Sequence, residues 1–377
     1  MSSPTVGQWG ATSPPVIMNP CETGFDVIWS VSGLCRGWVE VTTAGDGAPA
    51  DNVRRFAHDG LGFVPQGDRF ICVKVHSLPA GACCRVRAIT EPMGDGATRQ
   101  EGRWRSLRLP SADAETAHFV LWNDTHQNDD TLRQLDTATP RGVDFLVWNG
   151  DICAREWLDE ASLLPTFLRP ADTDFSLGRP LIFVPGNHDA RGPWAFRLAD
   201  ILPKPGGKTY QALRVGPVAC LFLNTGEDKA DDHPSFHGRV AFDTLRREQA
   251  DWMRAIVARP AFRNAPYRVV ICHIPLRWTD EVTDFGYDYF SQRSRDYWHD
   301  TLVDWGAQLI LSGHRHELTW LPPVAEFPYA QLVGGGPTMA NATIVDVTAD
   351  QARLLIRLRD VRGKPLRVFS IPALPPG

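Results

Sequence analysis

Two rhythms of apolar and polar positions divide the chain. From about Pro15 to Leu109 the apolar runs are short and close together: Phe25–Val31, Gly37–Thr43, Gly62–Pro65, Arg69–Val75, Cys83–Ile89 and Arg103–Leu109. Gly, Pro and Asp separate them, so the pattern predicts an antiparallel sandwich of immunoglobulin-like or fibronectin-like type, with Trp29 and Trp38 in its core. After a linker around Pro110–Ala114 the spacing lengthens. The runs His118–Trp122, Asp144–Trp148, Leu181–Pro185, Ala219–Leu223, Arg268–Cys272 and Gln308–Ser312 are separated by stretches of helical patterning, which indicates buried strands joined by crossover helices. Periodicity alone suggests a doubly wound α/β domain. Its clearest helix is expected to start at Asp243 as cap, carry Leu245, Trp252, Met253 and Ile256 on one face, and stop before Pro260. Weaker helices fit near Leu132–Leu135, Trp157–Leu168 and Tyr297–Trp305, and a strand-and-turn rhythm returns after Tyr329.

The resulting division is a flexible terminus at 1–14, a β-sandwich at 15–110, a linker at 111–117 and an α/β domain at 118–377. Composition changes this picture little. At 377 residues, 43% hydrophobic and 22% charged, the chain can bury a sizeable core. A net charge of -5 gives no broad footprint for a polynucleotide backbone, so nucleic acid is a disfavoured partner. No run has the length of a membrane span, and the first residues lack the basic and apolar regions of a signal peptide. The expected location is therefore the cytoplasm, or the periplasm or exterior if a leader has been removed. The eight cysteines do not form a disulfide framework; Cys72, Cys220 and Cys272 sit in apolar runs, and Cys21 with Cys35 is a pairing open only in an oxidising compartment.

The chemistry collects where apolar runs end. His118–Trp122 is followed by Asn123-Asp124-Thr125-His126, Asp144–Trp148 by Asn149-Gly150-Asp151, and Leu181–Pro185 by Gly186-Asn187-His188-Asp189. Arg268–Cys272 is followed by His273, and Gln308–Ser312 by Gly313-His314-Arg315-His316. If these strands are parallel, carboxylates, an amide and several imidazoles meet at one edge, more than a hydrogen-bonded core requires. Each block has a plain structural reading when taken singly. Together and in order they point to a metal site, because hard oxygens mixed with imidazoles suit Mn, Fe or Zn.

In these blocks the sequence resembles the calcineurin-like metallophosphoesterases, whose motifs are Asp-x-His, Gly-Asp, Gly-Asn-His-Asp/Glu, a single His and Gly-His-x-His. The resemblance runs from about His118 to the end, and it implies a four-layer α/β/β/α sandwich in place of a doubly wound sheet. It also implies two divalent metal ions, with Asp124, His126 and His316 on one, Asn187, His273 and His314 on the other, and Asp151 bridging. His188 would be the non-ligand catalytic residue, stabilising the phosphoryl oxygen or protonating the leaving group. The nucleophile would be a metal-bridging hydroxide, and Asn187 would also contact substrate. Gly186 and Gly313 are expected to let backbone approach the cluster.

The sandwich ahead of the catalytic domain resembles the arrangement of purple acid phosphatases, but their tyrosinate ligand falls at Ala154. A site without tyrosinate-bound ferric iron is therefore expected, with His126 filling the place. Phosphoprotein phosphatases have at that position an Asp that orients the catalytic His, followed by an Arg; Ala154 lacks the first and Arg155 matches the second. Arg155 is thus a substrate-binding candidate, the alternative being an ion pair with Glu156 or Asp159. The residue orienting His188 is not evident. Asp231–His237 reads as a solvated loop, a substrate loop or a third metal site, and Trp278–Phe290 as a cleft wall or packed insertion. The leading function is a phosphomonoesterase acting on a phosphoester small molecule or nucleotide. A small-molecule or nucleotide phosphodiesterase is the alternative, and a binding protein with a vestigial metal domain is the competing class. Oligomeric state is not specified by these signals.

Overall fold

The computed structural model describes residues 9–44, 53–94, 96–279, 281 and 290–375. Most of Trp278–Phe290 therefore lies outside the described residues, as do residues 1–8 of the terminus.

Two large sheets form the centre. The first contains the parallel strands Ala117–Asn123, Phe145–Asn149 and Leu181–Val184, with Thr343–Ala349, Arg353–Asp360 and Pro365–Pro372 added antiparallel on one side. The second contains the parallel strands Val218–Leu223, Tyr267–Cys272, Leu309–Ser312 and Ala330–Val333, bordered by the antiparallel strands Gln211–Val215 and Thr319–Leu321. Strands buried on both faces read as continuous apolar runs, which is why these segments stood out in the sequence. Phe119, Leu121, Phe145 and Val147 of the first sheet share one core with Cys220, Phe222, Ile271 and Leu311 of the second, so the two pack face to face.

Helices close both outer faces. Trp122, Trp148 and Phe183 pack outward with Leu132, Phe167 and Leu198. Leu221, Val270 and Ile310 pack outward with Met253, Trp298 and Leu302. The architecture is α/β/β/α, and the parallel strands of both sheets deliver their carboxyl ends to one edge.

The N-terminal region is β-rich and shares a sheet with the α/β/β/α region. Val16–Cys21 pairs parallel with Leu181–Val184 through Met18 and Leu181, then continues into Gly24–Ser30 and Phe70–Val75. The opposing layer, chiefly Cys35–Ala44 and Cys83–Pro92, buries Val39, Val41 and Val86 against Val27, Trp29 and Val73. Arg105 of this region, only 2% exposed, forms a two-pronged ion pair with Asp174, at 2.7 and 2.8 Å.

Several local expectations change. Trp29 and Trp38 are both buried, Trp38 at 4% exposure, but Trp38 lies on the opposite face of its strand from Val39 and Val41, as period-two alternation requires; Arg55 covers it with its guanidinium 3.8 Å from the ring centroid. Gly62–Pro65 is no strand, because Asp59 Oδ1 accepts the N–H groups of Leu61 and Phe63 and folds a turn. The helix expected from Asp243 spans Phe242–Val257, and Asp243 does not cap it: its carboxylate pairs with Arg246 one turn on. The helix near Leu132 spans Asp129–Ala138 under an Asn128 cap, and that near Tyr297 spans Gln292–Trp305 with Ser291 and Gly306 at its ends. Trp157–Leu168 is helical only over Leu163–Leu168. All eight cysteines are free, with Cys21 exposed and Cys35 buried.

Candidate active site

The loops leaving five strand ends converge. Asp124, His126, Asp151, His314 and His316 all take positive φ, between 45° and 71°, so each leaves its strand through a left-handed residue that turns the side chain back over the sheet edge. Such conformations are costly for non-glycine residues and collect at functional sites.

Ligand atoms assemble in two groups. In the first, His316 Nε2 lies 3.4 Å from Asp124 Oδ1 and 2.9 Å from His126 Nε2. In the second, His273 Nε2 lies 3.2 Å from Asp151 Oδ2, and His314 Nδ1 lies 2.9 Å from Asn187 Oδ1. Asp151 Oδ2 is also 3.7 Å from His126 Nε2, so this carboxylate reaches both groups. The structure thus brings Asp124, His126 and His316 together, and Asn187, His273 and His314 together, with Asp151 between. A third triad joins His126, Asp151 and His188.

The donors fit metal ions on three counts. His273 places Nδ1 2.7 Å from the Asn149 carbonyl oxygen, which sets its proton there; its buried Nε2 then has no aligned hydrogen-bond partner among the described residues. His126 likewise directs Nδ1 to the Cys153 carbonyl at 2.9 Å, leaving Nε2 to face another imidazole nitrogen. Burial by itself would lower the His273 imidazole, yet the Asp151 and Asp124 carboxylates override it and raise it to about 10. The site draws positive charge into its centre, the charge a divalent cation supplies.

Glycines make room. A Cβ on Gly313 would fall 2.4 Å from Asp124 Oδ2, and one on Gly186 would fall 2.3 Å from Asp151 Oδ1. Gly150, at φ 76°, also sits against the His273 ring, where a Cβ would approach Nδ1 to 2.5 Å. Asp189 has a different task from its neighbours. Its carboxylate accepts the backbone N–H groups of Asp151, Ile152, Cys153 and Gly186, at 2.9 to 3.1 Å, and so clamps two motif loops together.

His188 donates its backbone N–H to Asp151 Oδ1 at 2.8 Å, and its ring stands edge-on to His126. Arg191 reaches its Nε2 with Nη1 at 3.1 Å. Arg191 in turn is held by the buried carboxylates of Glu227 and Asp228. Burial, assisted by Arg191, pushes the His188 imidazole down to about 4. Sequence reading missed Arg191, Glu227 and Asp228. In the structure residues 188–190 form a single 3-10 turn, and side chains three apart in such a turn eclipse, so Arg191 falls on the face of His188.

Arg155 is exposed and makes no ion pair with Glu156 or Asp159 among the described residues; with His188 it lines a cleft of about 1070 Å³. Ser235, Phe236 and His237 from the Asp231–His237 loop line the same cleft, and no metal-ligand cluster among the described residues includes that loop. Cys153 stays out of the ligand set, its buried thiol pushed up to about 12. Ala154 contributes only backbone, its carbonyl accepting from His126 Nδ1 at 3.1 Å.

The chain belongs to the calcineurin-like phosphoesterase family, whose model matches residues 117–318, more than half its length. No curated protein matches it. In fold it is similar to purple acid phosphatase PPD1 from yellow lupin (Lupinus luteus) seeds, at 11% identity and a TM-score of 0.69, over 95% of this chain and 74% of that one. It is also similar to PhoD, at 11% identity and a TM-score of 0.62, over 95% of this chain and 88% of that one. These likenesses extend over the N-terminal β region. The protein is a metal-dependent phosphoester hydrolase of this family, which uses divalent metal ions.

Proposed function

We propose that the protein is a two-metal phosphomonoesterase acting on small organic phosphates. The observation that carries this reading is the convergence of seven ligand side chains into two groups that share Asp151. Asp124, His126 and His316 would hold one cation, Asn187, His273 and His314 the other, with Asp151 bridging. Cations held there supply Lewis acidity and lower the pKa of water enough for it to act as nucleophile at neutral pH. Mn, Zn and Fe all suit the donor set, and no tyrosine stands among the assigned ligands.

The chain's own groups then position the phosphate. Asn187 presents an amide next to the phosphoryl position. His188 accepts from Arg191, so the guanidinium held beside it can meet charge developing on the phosphoryl oxygens or the leaving oxygen. Arg155, on the cleft wall, can take a phosphate oxygen in a bidentate grip. Arg155, a cation without an ion pair among the described residues, favours a dianionic monoester over a monoanionic diester, and this supports the monoesterase over the phosphodiesterase reading.

The test compares 4-nitrophenyl phosphate with its bis(4-nitrophenyl) diester after loading with Mn, Zn or Fe. The reading predicts a higher kcat/KM on the monoester. Preference for the diester would replace it with the phosphodiesterase, and turnover of neither by protein carrying two metals would favour a binding role.

A further inference from the structure

The cleft beside His188 is far larger than a phosphate requires, at about 1070 Å³. Four cationic side chains line it, Arg155, Arg191, Lys229 and Arg239, against the single carboxylate of Glu156. Glu227 and Asp228 balance Arg191 and Lys229. Arg155 and Arg239 form no ion pair among the described residues. Arg239 is nevertheless held in place, donating from Nε to the Phe236 carbonyl at 3.2 Å and from Nη1 to the Gly192 carbonyl at 3.4 Å. In a chain of net charge -5, two uncompensated guanidiniums in one concavity make a local field for an anion.

The same cleft carries aromatic surface. Phe196 is 60% exposed on its wall, held by an offset stack on Trp194 at 6.2 Å and by the Arg197 guanidinium 5.1 Å from its centroid, and Phe236 and Phe242 line the same cleft. An exposed ring in a concave site offers a face for a planar ligand.

We infer that this cleft is the subsite for the alcohol part of the substrate, and that this alcohol carries both a flat ring and a second anionic group. The substrate class is a phosphomonoester of the nucleoside bisphosphate kind, with Arg155 on the phosphate that is cleaved, Arg239 gripping the second anion and Phe196 covering the ring. For the bond that is cleaved, the inference rests on the phosphomonoesterase reading; for binding it does not. Hydrolysis breaks the phosphorus–oxygen bond to the alcohol, the oxygen of water stays with the released phosphate, and a proton passes to the departing alkoxide.

Adenosine 3′,5′-bisphosphate is the probe. Its Kd is measured by equilibrium dialysis against the full chain with metals chelated, so that none is consumed, and its kcat/KM relative to 4-nitrophenyl phosphate is measured on the metal-loaded protein. Loss of one charge-assisted contact in Arg239→Ala should weaken binding about ten- to a hundredfold and lower the kcat/KM ratio to match, while Arg239→Lys recovers much of both. Phe196→Ala should weaken binding about tenfold. A Kd that Arg239→Ala leaves within twofold overturns the subsite, and if 4-nitrophenyl phosphate is still hydrolysed the phosphomonoesterase reading survives it. Arg239-dependent binding without turnover of either ester supports the subsite and removes the monoesterase reading.

Discussion

Arg191 Nη1 sits 3.1 Å from His188 Nε2, and the buried Glu227 carboxylate anchors the far side of the same guanidinium. A phosphoprotein phosphatase orients the corresponding imidazole with a carboxylate; at Ala154 this chain has none, and the neighbouring Asp189 is committed to backbone N–H groups. The contact to the imidazole therefore comes from a cation, which adds to the effect of burial in holding the imidazole below its ordinary value.

Arg191→Lys is expected to keep a charge near Glu227 and to lose the planar fork that reaches both partners. The predicted result is a fall in kcat of about ten- to a hundredfold on a monoester, with a smaller change in KM. Steady-state kinetics on the metal-loaded variant checks it. Arg191→Ala should also lower stability, because the buried Glu227 would keep only Lys229, 3.6 Å away, as its counter-charge.

Asp174→Ala should destabilise the protein by about 3–5 kcal/mol in denaturant unfolding, since Arg105 is almost wholly buried and would lose its counter-charge. Burial would raise the Asp174 carboxyl, but Arg105 and then Arg103 hold it below its ordinary value. A carboxyl depressed in the folded state contributes stability that is present above the unfolded value, about 3.9, and is lost as pH falls through the lower folded value. The difference in stability between wild type and Asp174→Asn should therefore shrink on acidification below about pH 4.

Gly313→Ala tests the close approach at the site. The added methyl would sit 2.4 Å from Asp124 Oδ2, so Asp124 must move from the position its two contacts with the His314 N–H define. Metal content should fall below two per chain by elemental analysis while far-ultraviolet circular dichroism is retained. Full metal occupancy in this variant would contradict the geometry.

Much of the site was legible because each ligand follows a buried parallel strand, and an uninterrupted apolar run ending in Asp, Asn or His shows in sequence without any knowledge of neighbours. Gly186 and Gly313 were legible for the same reason. The sheet shared by Met18 and Leu181 was not, since pairing between segments so far apart leaves no local pattern. Trp38 is buried as its residue type suggests, but the face on which it is buried depends on its register with Val39 and Val41. Asp243 looked like a cap by residue type, but helix starts are set by which donor groups find partners, and Arg246 claims its carboxylate. Arg191 escaped notice because its partners Glu227 and Asp228 lie on a loop distant in sequence.

The central claim is that Asp151 joins two metal sites, and the most direct measurement is metal stoichiometry in wild type and Asp151→Asn. Elemental analysis after loading with Mn or Zn and desalting should give two ions per chain in wild type, at most one in Asp151→Asn, and a loss of about a hundredfold or more in phosphoester hydrolysis. One ion or none in the wild type, or two ions and undiminished hydrolysis in Asp151→Asn, would contradict it.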